Sequence, residues 1–251
     1  MIKFFRKIRQ KLLSENKFSK YLIYAIGEIV LVVIGILIAL SINNWNQNRL
    51  KKKQVDTYLK SIVTDLKSDI IVYERNLKSF DKHIENISQI LNSNDYKQLK
   101  VDSIYTLVNR TWSINTLQNR TYEKIKSTGL EDVLGTTEID NAVNDYYSNS
   151  VVHFNYYVNW NGEMTNRDDI FWSFSNKFEI GILKVLNLNS ISYKQDSTKR
   201  KDELVKLIES TIGRNYLKNA ISRDDYGSII IKGFKSKAEN LIELIEKQIK
   251  E

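Results

Sequence analysis

The sequence predicts an all-α protein, and three observations carry that reading. Its 251 residues include no proline and only nine glycines, against an average proline usage of about 5%. Nothing in the chain therefore forces a helix to end by losing an N–H donor and clashing with the turn before it. Residues 55–91 carry an apolar stripe at helical spacing. Strand signals are almost missing: Ile229-Ile230-Ile231 is too short and is flanked by helical pattern. The absence of cysteine also excludes a disulfide framework and a thiolate metal site.

Taken from the N-terminus, residues 1–17 form a basic segment expected on the cytoplasmic side. Phe5, Ile8 and Leu12 recur at helical spacing while Lys3, Arg6, Lys7 and Arg9 face elsewhere. Two readings stay open: an amphipathic helix lying in an anionic leaflet, or a basic stop that only sets topology.

Residues 18–45 are expected to form a transmembrane helix. The run from Tyr21 to Ile42 holds 22 residues and one charge, Glu28, and at ~1.5 Å per residue it spans roughly the hydrocarbon core. Lys20, Tyr21, Tyr24 and Trp45 stand at its two ends, where amphipathic and cationic side chains anchor a helix at the interface. A cleavable signal would have a shorter apolar region followed by small residues. Ser41-Ile42-Asn43-Asn44-Trp45 has no such pattern, so the segment is expected to be retained.

The charge distribution supports a bilayer rather than nucleic acid. Residues 1–60 hold 12 Lys/Arg and 3 Asp/Glu, and the remaining residues hold 26 and 27. A net +9 on the flanks of one apolar run, beside a balanced remainder, is a membrane distribution; a nucleic-acid surface would spread basic residues over a folded domain. Seven basic residues precede the run and five follow it closely (Arg49, Lys51, Lys52, Lys53, Lys60). This bias predicts a cytoplasmic N-terminus and an exported C-terminal domain.

Residues 1–48, including Gly27-Glu28, Gly35 and the exit Ile42-Asn43-Asn44-Trp45-Asn46, closely resemble the N-terminus of an uncharacterised family of small Bacteroidota membrane proteins. The likeness thins afterwards to scattered pieces such as Tyr122-Glu123-Lys124-Ile125-Lys126-Ser127-Thr128-Gly129. The resemblance implies a single-pass inner-membrane protein of a diderm bacterium whose exported part is periplasmic. It implies no activity and no catalytic residues.

Residues 46–251 are expected to form that helical extracytoplasmic domain. Val55, Leu59, Ile62, Leu66, Ile70, Tyr73, Leu77, Phe80, Ile84, Ile87 and Leu91 step by three and four, a heptad seam with one stutter at Leu66–Ile70. No breaker separates the seam from the span, so one helix is expected from about 18 to about 92. The stripe predicts burial either under later helices, as a bundle, or in a homo-oligomeric coiled coil. A turn follows at Asn92-Ser93-Asn94-Asp95. Helices are then expected over about 101–112 and 117–127, with Gly129 as C-cap. A long helix capped by Thr136 or Thr137 is expected to reach about Phe178, with a polar turn near Asn161-Gly162 under a core reading. Residues 187–199 read as a loop, and two last helices are expected over 201–220 and 224–250.

Candidate chemistry is sparse. The sequence lacks a phosphate-binding glycine loop, a dinucleotide fingerprint, an H-E-x-x-H helix and a G-x-S-x-G elbow. His83 and His153 have no second ligand at helical spacing, and His153, within an aromatic helix, reads as structural. These features predict a non-enzyme without a cofactor or metal. Ten aromatic residues fall between Tyr146 and Phe178, which suits a core, a pocket or an interface alike. Within that region Trp160, Asp168, Asp169 and Trp172 form a candidate ligand site, the carboxylates fixing a cation against an indole ring; core packing is the plainer reading. In the span, Gly27, Leu31, Gly35 and Ala39 step by four along one face, and Glu28 flanks it. Small residues let helices approach closely, and an ionisable group in a span is costly enough to suggest a role.

The sequence thus predicts a membrane-anchored, non-catalytic binding or scaffolding protein. Its expected partners are the lipid bilayer and either a membrane protein or a second copy of itself, with no nucleic acid. The alternative is a subunit of an ion-driven or secretion-related inner-membrane complex that uses Glu28.

Overall fold

The computed structural model describes residues 18–109, 116–130, 134–174, 177–180 and 193–250. The expected amphipathic segment 1–17 lies outside the described residues, as do the side chains of Lys20 and Tyr21. Among the described residues there are seven α-helices and no strand: α1 (Phe18–Asn92), α2 (Val101–Val108), α3 (Arg120–Ser127), α4 (Thr137–Asp145), α5 (Val151–Ser173), α6 (Ser197–Glu209) and α7 (Thr211–Lys250). A 3-10 turn (Asp95–Gln98) follows α1, and a π turn (Tyr146–Ser150) joins α4 to α5. The fold class is all-α.

The chain divides into two compact units, Met1–Asp56 and Thr57–Glu251. In the first, the described part of α1 exposes large apolar side chains on every side, from Leu22 and Ile23 through Leu31 and Leu37 to Ile42. It is the one helix among the described residues long and apolar enough to cross a membrane; its most apolar stretch has a mean hydropathy of 2.8 and none of it is buried. At its end the Arg49 guanidinium lies 5.5 Å from the centre of the exposed Trp45 ring.

In the second unit the remainder of α1 is the central element. Leu59, Ile62, Leu66, Tyr73, Phe80 and Ile87 are at most 1% exposed, and burying each contributes about 1.5–3 kcal/mol. These residues confirm the bundle expectation for the stripe. Helix α7 runs antiparallel to α1, pinned by Lys67–Glu246 (2.8 Å), Glu74–Lys235 (3.0 Å) and His83–Asp224 (2.5 Å). Helix α5 runs parallel to α1, with the rings of Tyr73 and Phe154 at 5.5 Å and of Phe80 and Tyr157 at 6.5 Å. Antiparallel contact of α5 with α7 closes the three-helix core through Phe154–Phe234 at 6.0 Å and stacked Phe171–Tyr216 at 3.9 Å. Beyond it, Ile87, Ile90, Tyr96, Ile104, Trp172 and Leu204 join in one apolar cluster.

Helix ends follow local chemistry. Helix α1 stops at Asn92, where the Ser93 hydroxyl accepts from the Asp95 N–H at 2.9 Å. Gly129 adopts φ +64° after α3, a left-handed position that glycine takes without a Cβ penalty. The Thr136 hydroxyl accepts from the Ile139 N–H at 3.3 Å, so Thr136 is the cap of α4.

Four features differ from expectation. Asn161 is buried within α5 and no turn forms at Asn161-Gly162. Helix α2 ends at Val108, and α5 ends at Ser173 rather than near Phe178. The break between the last two helices falls at Ser210, not at 221–223. Its cause is the Ser210 hydroxyl, which accepts from the Gly213 N–H at 3.1 Å. A Cβ on Gly213 would also lie 2.0 Å from the Leu207 carbonyl oxygen, so only glycine allows α7 to start so close to α6.

Candidate functional site

On the membrane-type segment, Gly27, Leu31, Gly35 and Ala39 are all exposed. A Cβ added at Gly27 or Gly35 would meet nothing within 4 Å, so the small-residue face is uncovered in this chain. Glu28 is partly buried beside it. Tyr24 and Trp45, at 39% and 65% exposure, lie near the two ends of the apolar run.

The four residues proposed from the aromatic region do not form one pocket. Trp172 is 2% exposed and belongs to the apolar core cluster with Ile87 and Leu204. Asp168 is paired with Arg223 at 2.5 Å, and Asp169 accepts from the Ser173 hydroxyl at 2.6 Å. Trp160 stands apart from both, its ring 6.2 Å from that of Tyr226. There it lines an open groove of about 710 Å³ between α5 and α7, with Tyr156, Tyr226, Ile229 and Lys237. His153 lines the same groove and is exposed, so it is a rim residue rather than a member of the aromatic core. Trp160 and Tyr156 both belong to the aromatic run between Tyr146 and Phe178. The groove also needs Tyr226 and Ile229, which come from a helix some 70 residues away and carry no local mark.

The same unit buries two polar centres that the periodic reading passed over. The first surrounds Asp69, which is fully buried. Its Oδ1 accepts from the Gln118 N–H at 2.8 Å and its Oδ2 from the Tyr146 hydroxyl at 3.0 Å. The Tyr73 hydroxyl lies 3.0 Å from that of Tyr146 and completes a relay into the carboxylate. The π turn explains the geometry: its wider backbone lets the consecutive residues Tyr146 and Tyr147 both turn inward, at 2% and 5% exposure. Tyr147 stacks on Tyr122, ring centres 4.6 Å apart. Burial pushes the Asp69 carboxyl up to about 6, against the lowering effect of its two donors, and neighbouring Asp65 pushes it in the same direction. Burial and nearby carboxylates also raise the phenols of Tyr73, Tyr146 and Tyr147, keeping them protonated donors.

The second centre lies two heptads further along α1. His83 Nδ1 is 2.5 Å from Asp224 Oδ2 on α7, so the imidazole donates to the carboxylate and its ring orientation is fixed. Arg223, the residue before Asp224, forms the pair with Asp168 of α5. Gly227, one turn further, lets the helices meet: a Cβ there would lie 2.1 Å from the Tyr157 hydroxyl and 3.0 Å from the Phe80 ring. Two carboxylates thus face one guanidinium and one imidazole. The buried atoms His83 Nε2, Asn161 Oδ1, Thr165 Oγ1, Arg223 Nε and Ser228 Oγ have no protein partner. They are hydrogen-bonding positions of the kind that internal water serves. A carboxylate-oriented imidazole resembles part of a nucleophilic triad, but Nε2 bonds no nucleophile among the described residues. Nor do these residues include a group of three or more His, Asp or Glu side chains able to hold a metal ion.

A family model described as "Family of unknown function (DUF6090)" matches residues 28–211. No curated protein and no solved structure matches the chain. The model covers well over half of the chain, which therefore belongs to that family.

Proposed function

We propose that this member of the family is a single-pass, membrane-anchored binding or scaffolding protein without catalytic activity. Its N-terminus is cytoplasmic, helix α1 crosses the inner membrane, and the bundle presents its surface to an envelope partner or a small ligand in the periplasm. The observation that carries this reading is the change of surface along α1. Residues 22–42 expose apolar side chains all round, whereas from Leu59 onward one apolar side is buried and the other faces are polar. A helix apolar on all sides and uncovered suits lipid; an amphipathic one suits a bundle in water. The basic flanks of the apolar run give the orientation.

The groove between α5 and α7 supports the binding half of the reading. It has the size and aromatic lining of a recognition site, and Tyr156, Tyr226 and Ile229 are 54–71% exposed on it. The test combines location with binding. The full-length protein is expected in the membrane fraction after alkaline carbonate washing, and its bundle should become protease-sensitive when the outer membrane is opened. Trp160→Ala should weaken recovery of whatever co-purifies in mild detergent while the helical circular dichroism stays unchanged. Release by carbonate contradicts the anchor, and undiminished recovery contradicts the groove.

A further inference from the structure

At the end of the bundle where α1 stops, α2 and α6 pack together beside an open groove of about 870 Å³, which shares no residue with the aromatic groove between α5 and α7. Its lining is charged: Lys97, Lys100, Arg200 and Lys201 against Asp102 and Asp202. Residues 61–251 as a whole are balanced, with 26 basic and 27 acidic side chains, so this excess of two positive charges, four against two, is local. Arg200 gives the groove a fixed donor. It is 3% exposed, and three contacts hold its plane: Nη2 donates to Asp102 Oδ1 at 2.7 Å, Nε donates to the Glu179 carbonyl oxygen at 2.8 Å, and the guanidinium lies 3.7 Å from the centre of the Tyr193 ring. Its Nη1 bonds nothing among the described residues and is open to solvent. A guanidinium held in this way offers its remaining N–H groups to an oxyanion with little further ordering. Lys97 is engaged by Glu209, whereas Lys100 and Lys201 form no ion pair among the described residues. The hydroxyls of Ser197 and Thr198 line the same groove. Helix α2 starts on it without a side-chain cap, because the residue before it is Lys100, so its first N–H groups also await an acceptor.

We propose that this groove binds a soluble phosphate monoester, held by Arg200 and Lys201 of α6 and by Lys100 at the start of α2. Two features select that class. The groove offers more donors than the two oxygens of a carboxylate can use. A phosphate monoester brings three acceptor oxygens and a charge of about −1.5 to −2 at pH 7, which matches the excess of positive charge on the lining. The volume is that of a small-molecule site, roughly 300–1,000 Å³, and exceeds what a bare phosphate fills. The organic part of the ester therefore enters too, and Leu99 and Val205 supply apolar lining for it. This site stands independently of the aromatic groove, with which it has no lining residue in common.

Isothermal titration calorimetry of the full-length protein in a non-ionic detergent, at pH 7.5 and low ionic strength, tests this. The probes are glucose 6-phosphate, adenosine monophosphate and inorganic phosphate, with short-chain phosphatidic acid carrying the same group on a lipid. Glucose 6-phosphate and adenosine monophosphate are expected to saturate one site with a Kd below about 1 mM and to compete with each other. Inorganic phosphate should compete more weakly, and glucose and adenosine should give no binding heat. Lys100→Ala and Lys201→Ala should each weaken binding about tenfold, as the loss of one charge-assisted contact requires. Arg200→Lys should weaken it further, since lysine keeps the charge and lacks the fork. Lys206→Ala is the control: Lys206 lies on α6 outside the groove, engaged by Glu203 at 2.9 Å, and its variant should bind as the parent does. Lys100 and Lys201 are not buried, so their variants decide the matter if Arg200→Lys does not fold. No saturable binding of either ester, unchanged affinity in both lysine variants, an equal loss in Lys206→Ala, or binding of the phosphatidic acid alone would each overturn the proposal.

Discussion

The Asp69 and His83 centres lie 14 residues apart on one helix and solve the same problem in opposite ways. Around His83 each carboxylate meets a nitrogen donor: the imidazole faces Asp224 and the guanidinium Asp168. Around Asp69 the negative charge is answered only by neutral donors, a backbone N–H and a chain of phenols. A compensated pair ties three helices together and is hard to perturb without breaking it. A carboxylate answered only by neutral donors leaves a demand that a proton can meet, so it responds to pH. The first arrangement is architecture, and the second titrates.

The comparison breaks most visibly at the compensated centre. Asp224→Ala strands His83 and removes the α1–α7 link, and is expected to cost about 3–5 kcal/mol, read as a fall of roughly 10 °C in the unfolding midpoint. Gly227→Ala comes next: its methyl would overlap the Tyr157 hydroxyl, and overpacking of this kind costs about 1–3 kcal/mol, seen in the same melt.

At the other centre, Asp69→Asn should cost less than Asp224→Ala at pH 8, because it deletes a charge that has no partner. Its signature is pH dependence. A carboxyl held at about 6 when folded, and near 4 when unfolded, binds its proton more tightly in the folded state. Its contribution to stability is therefore present at low pH and lost as pH rises through about 4 to 6. The full excursion is on the order of 3 kcal/mol at 1.36 kcal/mol per unit. Tyr146→Phe removes one of the two donors to Asp69 and is expected to cost about 1 kcal/mol; it should also move the pH response upward, detectable by repeating the titration. Smallest is Lys67→Ala, which removes a surface ion pair with Glu246 on the same α1–α7 face. No measurable change in midpoint is expected, since exposed pairs contribute little.

Much of the fold was legible in the sequence because it rests on periodicity. The extent of α1, its exposed span, the turn after Asn92, the Thr136 cap and the Gly129 cap follow from apolar spacing and from capping chemistry. The polar centres did not show, for a definite reason. The spacing places the apolar seam at Ile70 and Ile84, whereas the buried positions are Asp69 and His83, each one residue earlier. A pattern search counts a charged residue as solvent-facing, and the stutter at Leu66–Ile70 was the only hint that the inward face had moved. The inward turn of both Tyr146 and Tyr147 depends on a π turn, for which Tyr-Tyr-Ser-Asn-Ser offers no spacing rule. Asp168 read as a ligand carboxylate because its partner, Arg223, lies 55 residues away. The Ser210 break was missed because Ser210 and Gly213 act together, through a hydroxyl and a missing Cβ.

The most direct measurement of the contrast between the two centres is the unfolding free energy of the parent protein and Asp69→Asn from pH 4.5 to pH 8 at constant ionic strength. The account predicts that the parent loses stability relative to Asp69→Asn as pH rises towards about 6, and that the difference then levels off. Curves that stay parallel across the whole range would show that Asp69 is as well answered as Asp224, and would contradict it.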